Sequence, residues 1–330
     1  MAAPHELVMD LGTAWLRSRS LHTVADLGVA DALDDTPRTP AALAQETGAD
    51  PAALERVLRL LAAHGVFALR DGRVSHTPAS RLLRSDHPRS LRPFARMMGL
   101  PIDQTAYCTF ERSLRTGRPA IESLAPGGAF AYLAKHPAEA EVFNAAMTAK
   151  AHGQVAAVLG AYDFSGFGTI ADIGGGRGHL LRAILERAPS AKGILYDLPR
   201  VIREAEPLAS DRLTLEAGDF FRDPLPAADA YVLMDVIHDW DDARSAAILG
   251  AVRAAARPSS RVLLIEHIVP EHEAPAWAKT LDVLMLLVTG GLQRSVAQFE
   301  ALFASTGFRL ARVVECGGDL AIVEGTPAAA

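Results

Sequence analysis

"IADIGGGRGHLL" (residues 170–181) decides how the rest of the chain is read. An apolar run leads to Asp172, glycines follow at 174, 175, 176 and 178, and a helical pattern begins at His179. A glycine-rich turn from strand to helix lets the backbone bend sharply and approach a ligand, because glycine has no Cβ in the way. A dinucleotide site requires G-x-G-x-x-G. Starting at Gly174 the first two positions match, at Gly174 and Gly176, but the third is His179. The pattern that fits throughout is D-x-G-x-G-x-G, made by Asp172, Gly174, Gly176 and Gly178. A carboxylate at its head repels a pyrophosphate and attracts an ammonium group. That suits S-adenosyl-L-methionine, which has an amino acid end, a nucleoside end and no phosphate.

Outward from this turn, strand-like runs alternate with helical ones. "TIADI", "GILYD", "LTLEAGD", "AYVLMDVI" and "RVLLIEHIV" are the strands, with "GHLLRAILERA", "PRVIREAEP" and "DARSAAILGAVRAAA" among them. The pattern predicts an α/β domain: a Rossmann-like, doubly wound, mostly parallel sheet with helices on both faces. "FRLARVVEC" and "LAIVEG", joined by "GGD", predict a closing hairpin that adds one antiparallel strand. Ligands of such sheets bind at the carboxyl ends of the strands. The second strand ends at Asp197, placed to accept hydrogen bonds from ribose hydroxyls, with Leu198 beside it. The third ends in "EAGDFF", where Asp219 is placed for the adenine amino group. Phe220 either lies against the adenine ring or belongs to the core.

Residues 1–95 read as short helices followed by a hairpin, the layout of a winged helix. Thr39-Pro40 and Asp50-Pro51 are helix starts, Gly48 and Gly65 are stops, and Asp71-Gly72 is a hairpin turn. The segment has 11 Arg, no Lys and 11 Asp+Glu, so it has no net charge for binding nucleic acid. Its third helix carries Leu54, Val57, Leu58, Leu60 and Leu61 and belongs in a core or a subunit interface. Residues 96–160 read as connecting helices that contribute to a substrate pocket, broken at Pro101, Pro119, "PGG" and Pro137 and loosened at Gly153. Residues 161–330 are the cofactor-binding domain.

With these motifs in view, the chain resembles the class I S-adenosylmethionine-dependent O-methyltransferases of the plant caffeate and bacterial polyketide-tailoring type. "DIGGGRG", "YDLP", "GDFF" and above all "VIHDWDD" (236–242) carry the resemblance, which covers nearly the whole chain. It implies a homodimer formed through the winged-helix-like domain, and it makes His238 the general base. Histidine suits that work because its ordinary pKa is about 6.5. The resemblance places an acidic residue at Glu266, able to bond the other imidazole nitrogen. His267 should point to the opposite face of the strand. Met147, His152, Asp239, Trp277, Asp282, Met285, Leu286 and Gln293 fall in segments that in the family face the acceptor, although apolar residues at such spacing also make cores. The acceptor class implied is a small aromatic molecule, and S-adenosyl-L-homocysteine is the spent cofactor. Two positions depart from the family. Gln293 stands where a second Glu is usual, and Met234 and Asp235 stand where Lys or Arg is common.

Composition is that of a globular protein: 330 residues, 49% hydrophobic and 22% charged, with a net charge of −6. The negative charge favours neither nucleic acid nor an anionic membrane as partner. Cys108 and Cys316 form neither a disulfide framework nor a metal-ligand cluster, which suits a reducing cytosol. The start, "MAAPHELVMD", is acidic and reads as broken at Pro4, so it is no secretion signal. Three alternatives stay open on sequence: transfer to nitrogen, a relative that uses the cofactor for hydroxylation or pericyclic chemistry, and a cofactor-sensing regulator.

Overall fold

The computed structural model describes residues 3–329. Two compact units make up the chain: Met1–Thr105 with Phe130–Lys150, and Ala106–Ala129 with Ala151–Ala330. The stretch 96–160 is therefore divided between them.

The first unit begins with helix α1 (Pro4–Asp26), which is longer than its sequence pattern predicts. Pro4 opens this helix instead of breaking the segment. Proline is well tolerated at the first helical position, where its missing N–H has no intrahelical partner to lose. The helix closes at Leu27, and Gly28 turns with φ +71°. Helices α2 (Pro40–Thr47) and α3 (Pro51–Ala63) start as their caps predict. Thr39 Oγ1 accepts the N–H of Ala42 at 3.2 Å, and Asp50 Oδ1 accepts that of Ala53 at 2.8 Å. Strands β1 (Phe67–Arg70) and β2 (Arg73–His76) pair antiparallel around Asp71-Gly72, both in the left-handed conformation. Leu54, Leu58 and Leu61 of α3 are buried with Leu33, Leu43, Phe67 and Val74. That helix face serves the core of its own unit. Short helices α4 (Pro78–Arg81) and α5 (Arg92–Met97) follow.

Helices α6 (Pro101–Cys108), α7 (Phe110–Thr116), α8 (Gly128–Leu133) and α9 (Pro137–Ala161) come next. Gly153 does not interrupt α9, since the helix hydrogen-bond ladder needs no side chain to continue through it.

The second unit is built on a seven-stranded sheet. Its strands are β3 (Thr169–Ile173), β4 (Lys192–Asp197), β5 (Leu213–Ala217), β6 (Ala230–Met234), β7 (Arg261–His267), β8 (Phe308–Gly317) and β9 (Leu320–Pro327), in spatial order β5-β4-β3-β6-β7-β9-β8. All pairings from β5 to β7 are parallel, and β9 runs antiparallel to both neighbours. Helices α10 (His179–Arg187), α11 (Pro199–Ala205), α12 (Asp242–Ala255), α13 (Trp277–Val288) and α14 (Val296–Ser305) complete the unit. Successive residues of β3 serve opposite cores. Ile170 packs with Leu181 and Ile184 of α10, whereas Ala171 and Ile173 pack with Ile248 and Leu249 of α12 and Phe299 of α14. Strand order reverses between β3 and β6, which opens a crevice at their carboxyl ends. Among the described residues no helix is long and apolar enough to cross a membrane.

Candidate active site

The glycine loop leaves β3 at that crevice. Gly174, Gly176 and Gly178 have φ of +70°, +58° and +69°, a conformation in which side-chain-bearing residues are strained. Gly175 is required for a different reason: a Cβ there would meet the carboxylate of Asp172 and the side chain of Leu195. Asp172 is buried, accepts the backbone N–H of Leu181, and keeps Oδ2 without a hydrogen-bond partner. Burial, and then the nearby Asp197 carboxylate, raise its pKa to about 7. Asp197, at the end of β4, accepts the N–H of Gly176 through Oδ2 at 2.9 Å and that of Leu198 through Oδ1 at 2.6 Å. The second carboxylate thus braces the loop that follows the first. Burial also lifts Asp197 above its usual range, against the pull of those two N–H groups.

Asp219 accepts the N–H of Phe221 at 2.9 Å in the turn after β5. Phe220 lies next to Gly174 and meets Phe221 and Trp240 edge-on, with ring centroids 4.8 and 6.1 Å away. Leu198 and Phe221 are exposed. His152, on α9, is set edge-on to His179 at 5.5 Å. His267 faces Gln154 of α9 at 3.3 Å, on the opposite side of β7 from Glu266, as strand alternation requires.

A second cluster follows β6. Asp235 takes a left-handed φ of +54°, and its N–H donates to Ile265 O. The chain then makes a 3-10 turn, Ile237–Asp239, that buries His238. Glu266, wholly buried at the end of β7, holds this turn. Its Oε1 accepts the N–H groups of Ile237 and His238 at 2.9 and 3.3 Å, and its Oε2 lies 3.2 Å from His238 Nδ1. Gln293 brings its side-chain amide to 2.7 Å from the same Nδ1, and its backbone N–H donates to Asp282 Oδ1 at 2.8 Å. Asp235 Oδ1 stands 3.9 Å from Nδ1 and Asp239 Oδ1 stands 3.8 Å from Nε2. Burial by itself lowers the pKa of His238. Glu266 overcomes it, helped by Asp239 and Asp235, and the result is a rise to about 9.

Two residues of this cluster escaped sequence reasoning. Arg294 is buried, yet its guanidinium donates to the carbonyls of Ile237 and Trp240, to Ser245 Oγ and to Asp242 Oδ1. It ties the His238 turn to the start of α12. Gly291 passes so close to that turn that a Cβ would fall on the backbone of His238 and Asp239. Both lie in "GGLQRS", a segment whose glycines were the available signal.

Of the acceptor-facing candidates, Trp277, Asp282 and Met285 share α13, with Met285 buried and Trp277 exposed. Met147 stands on α9 within the first unit, half-buried.

Residues 108–309 match the model of the O-methyltransferase domain, and residues 9–86 match the O-methyltransferase dimerisation domain. The chain belongs to this family. It is an S-adenosylmethionine-dependent methyltransferase. It is 40% identical to phenazine O-methyltransferase PhzM of Lysobacter antibioticus, over 97% of this chain and 96% of that protein. It is 38% identical to 8-amino-8-demethylriboflavin N,N-dimethyltransferase of Streptomyces davaonensis, over 96% of this chain and 92% of that one. The solved structure of CalO1, a methyltransferase in calicheamicin biosynthesis in its SAH-bound form, superposes with a TM-score of 0.89 at 34% identity, covering 99% of this chain and 100% of that one.

The charge arrangement of this methyltransferase has a direct readout. In an NMR titration, His238 should show a midpoint near 9, well above the ordinary 6.5. Glu266→Gln should lower that midpoint, because it removes the carboxylate nearest the ring. A midpoint at or below 6.5 in the unaltered protein would refute the arrangement.

Proposed function

We propose that the enzyme transfers a methyl group from S-adenosyl-L-methionine to a hydroxyl of a small aromatic molecule, with His238 as general base. The observation that carries this reading is the setting of His238. A buried carboxylate fixes one face of its ring through Nδ1, and Nε2 is on the other side. The turn that holds it follows the strand next to the glycine loop.

The residues at the crevice fit the cofactor. Asp172 Oδ2, buried and without a donor, is the acceptor an ammonium group needs. Asp197 uses one lone pair of each oxygen on the backbone and keeps the others for a ribose diol. Phe220, against Gly174, offers a ring face or edge to adenine, and Asp219 an acceptor to its amino group. When bound, the cofactor supplies a methyl group on a sulfonium, already activated for displacement. The protein's part is to deliver a good nucleophile. His238 Nε2 takes the hydroxyl proton as the new O–C bond forms and the S–C bond breaks, and the Glu266 carboxylate stabilises the imidazolium. Bases so placed contribute roughly 10²–10⁴-fold. On α13, Trp277 and Met285 provide apolar surface for a flat acceptor, with Asp282 and Asp239 as its polar neighbours, while the Gln293 amide is turned to His238.

Transfer to nitrogen is the second reading. It is favoured by the N,N-dimethyltransferase relative and by the carboxylates of Asp235 and Asp239 beside His238, which suit an acceptor carrying an amine. Mass spectrometry with matched phenols and anilines separates the two.

His238→Ala should lower turnover on a phenol by about 10²-fold or more while calorimetry shows unchanged cofactor affinity. Full activity with an unaltered pH profile would end the general-base reading and move nitrogen transfer ahead. Cofactor affinity should fall as the pH drops below about 7, because protonation of Asp172 removes the charge that attracts the ammonium. Asp172→Asn should bind weakly at every pH with that dependence flattened, and Asp197→Ala should bind about tenfold or more weakly.

The proposed assembly is a homodimer. Of the 23 residues in α1 only His22, Val24 and Ala25 are buried, while Leu7, Val8, Met9, Leu11 and Trp15 are each more than half exposed. Such an apolar face needs a cover, and the matched dimerisation domain points to a second copy of this chain. Light scattering should give a dimer, and Leu11→Asp with Trp15→Asp should give a monomer. A monomeric unaltered protein would sink the idea.

A further inference from the structure

The Gln293 amide and the Glu266 carboxylate both converge on His238 Nδ1, at 2.7 and 3.2 Å. The amide nitrogen is the nearer atom as the side chain stands, which requires Nδ1 to accept. That arrangement puts the ring proton on Nε2. It also leaves two buried oxygens, Gln293 Oε1 and Glu266 Oε2, with no donor. An orphaned carboxylate oxygen is the more costly of the two, since buried charge without a hydrogen bond is penalised most heavily. A half-turn about the last bond of Gln293 exchanges its oxygen and nitrogen without changing the shape of the side chain. Oε1 then accepts Nδ1–H at the same short distance, and Glu266 Oε2 shares that proton at 3.2 Å. The amide NH₂ takes the place its oxygen held.

We infer that Gln293 is a positioning residue: its amide oxygen accepts Nδ1–H and fixes neutral His238 as the tautomer with a free lone pair on Nε2. This rests on the general-base reading for its catalytic consequence, though not for the hydrogen bond itself. Gln293 is well placed to act this way. It is 3% exposed, its backbone N–H is bonded to Asp282, and it lies between Gly291, which passes against the His238 turn, and Arg294, which is bonded to that turn.

The amide also differs from a carboxylate in charge. The charged groups facing the ring are Glu266 from β7, Asp235 from the end of β6 and Asp239 from the turn itself. Arg294, from the same segment as Gln293, spends its guanidinium on backbone carbonyls, Ser245 and Asp242. Gln293 therefore orients the base without adding a further negative charge. A carboxylate there would hold the imidazole protonated to still higher pH, narrowing further the range in which it is free to act as a base. An opposite charge within about 4–6 Å moves such a group by about 1–3 pH units.

The test is two-bond proton–nitrogen correlation NMR of the ¹⁵N-histidine-labelled enzyme with S-adenosyl-L-homocysteine, followed through the His238 titration and assigned against His238→Ala. Above the midpoint, His238 should be in the Nδ1–H form. Gln293→Glu should keep that tautomer and move both the NMR midpoint and the acid limb of kcat/KM up by about one unit or more. Gln293→Met, which keeps the shape and loses the acceptor, should mix the tautomers and lower kcat at unchanged cofactor affinity. An Nε2–H form in the unaltered enzyme, or an unchanged tautomer in Gln293→Met, would overturn the inference. If His238→Ala retains activity while the unaltered enzyme shows Nδ1–H, the general-base reading fails and the hydrogen bond stands.

Discussion

The Glu266 carboxylate, sealed at the end of β7, is the constraint on which the His238 cluster depends. A charge with no exposure to water is tolerated only when its lone pairs are occupied. Two backbone N–H groups occupy Oε1 here, and Oε2 lies 3.2 Å from His238 Nδ1, to be satisfied once that nitrogen carries a proton. The same turn is gripped from its other side by Arg294, whose guanidinium takes the carbonyls that the acid cannot. One short segment thus has its donors met by a buried acid and its acceptors met by a buried base. Removing one partner of a buried ionic arrangement typically costs about 3–5 kcal/mol, because the remaining charge is left uncompensated. The turn is rigid for that reason, and so is the ring it carries.

A similar economy governs the glycine loop. Asp172 and Asp197 end adjacent parallel strands, and one bonds the start of the following helix while the other bonds the loop. Burial, with the nearby Asp197 carboxylate adding to it, leaves Asp172 as a group that ionises near neutrality and has one oxygen unclaimed. A cationic ligand resolves both the charge and the missing donor. The loop is thus built at some cost to the unliganded protein, which binding offsets.

The two clusters share a frame and differ in design. Around the glycine loop, backbone geometry dominates, and three left-handed residues create space. Around His238, side chains dominate, and space is denied: Gly291 is bare because the chain it crosses leaves no room. Asp235 belongs to this second design. Its left-handed backbone ends β6 abruptly and brings its carboxylate to the imidazole, so this family member surrounds the histidine with more negative charge than its resemblance implies.

The strand-helix alternation, the closing hairpin, the capped helices α2 and α3 and the Asp71-Gly72 turn were legible in sequence because each depends on neighbours a few residues apart. The glycine loop was legible for the same reason, since left-handed φ restricts residue type locally. The length of α1 is not legible because its local signal has two meanings: Pro4 reads as a break in isolation and as the first residue of a helix once α1 follows it. The facing of Glu266 and His267 to opposite sides of β7 followed from alternation alone. What no local pattern specified was the meeting of Glu266, Gln293 and Arg294 around one turn. They lie 28 to 56 residues beyond His238 in the chain, and their contact exists only because the parallel sheet brings the ends of β6 and β7 together and the segment after α13 crosses over them. Sequence determined which residue types the chemistry has available. The tertiary structure decided which side chains meet Nδ1 of His238, because contacts between distant segments set that choice.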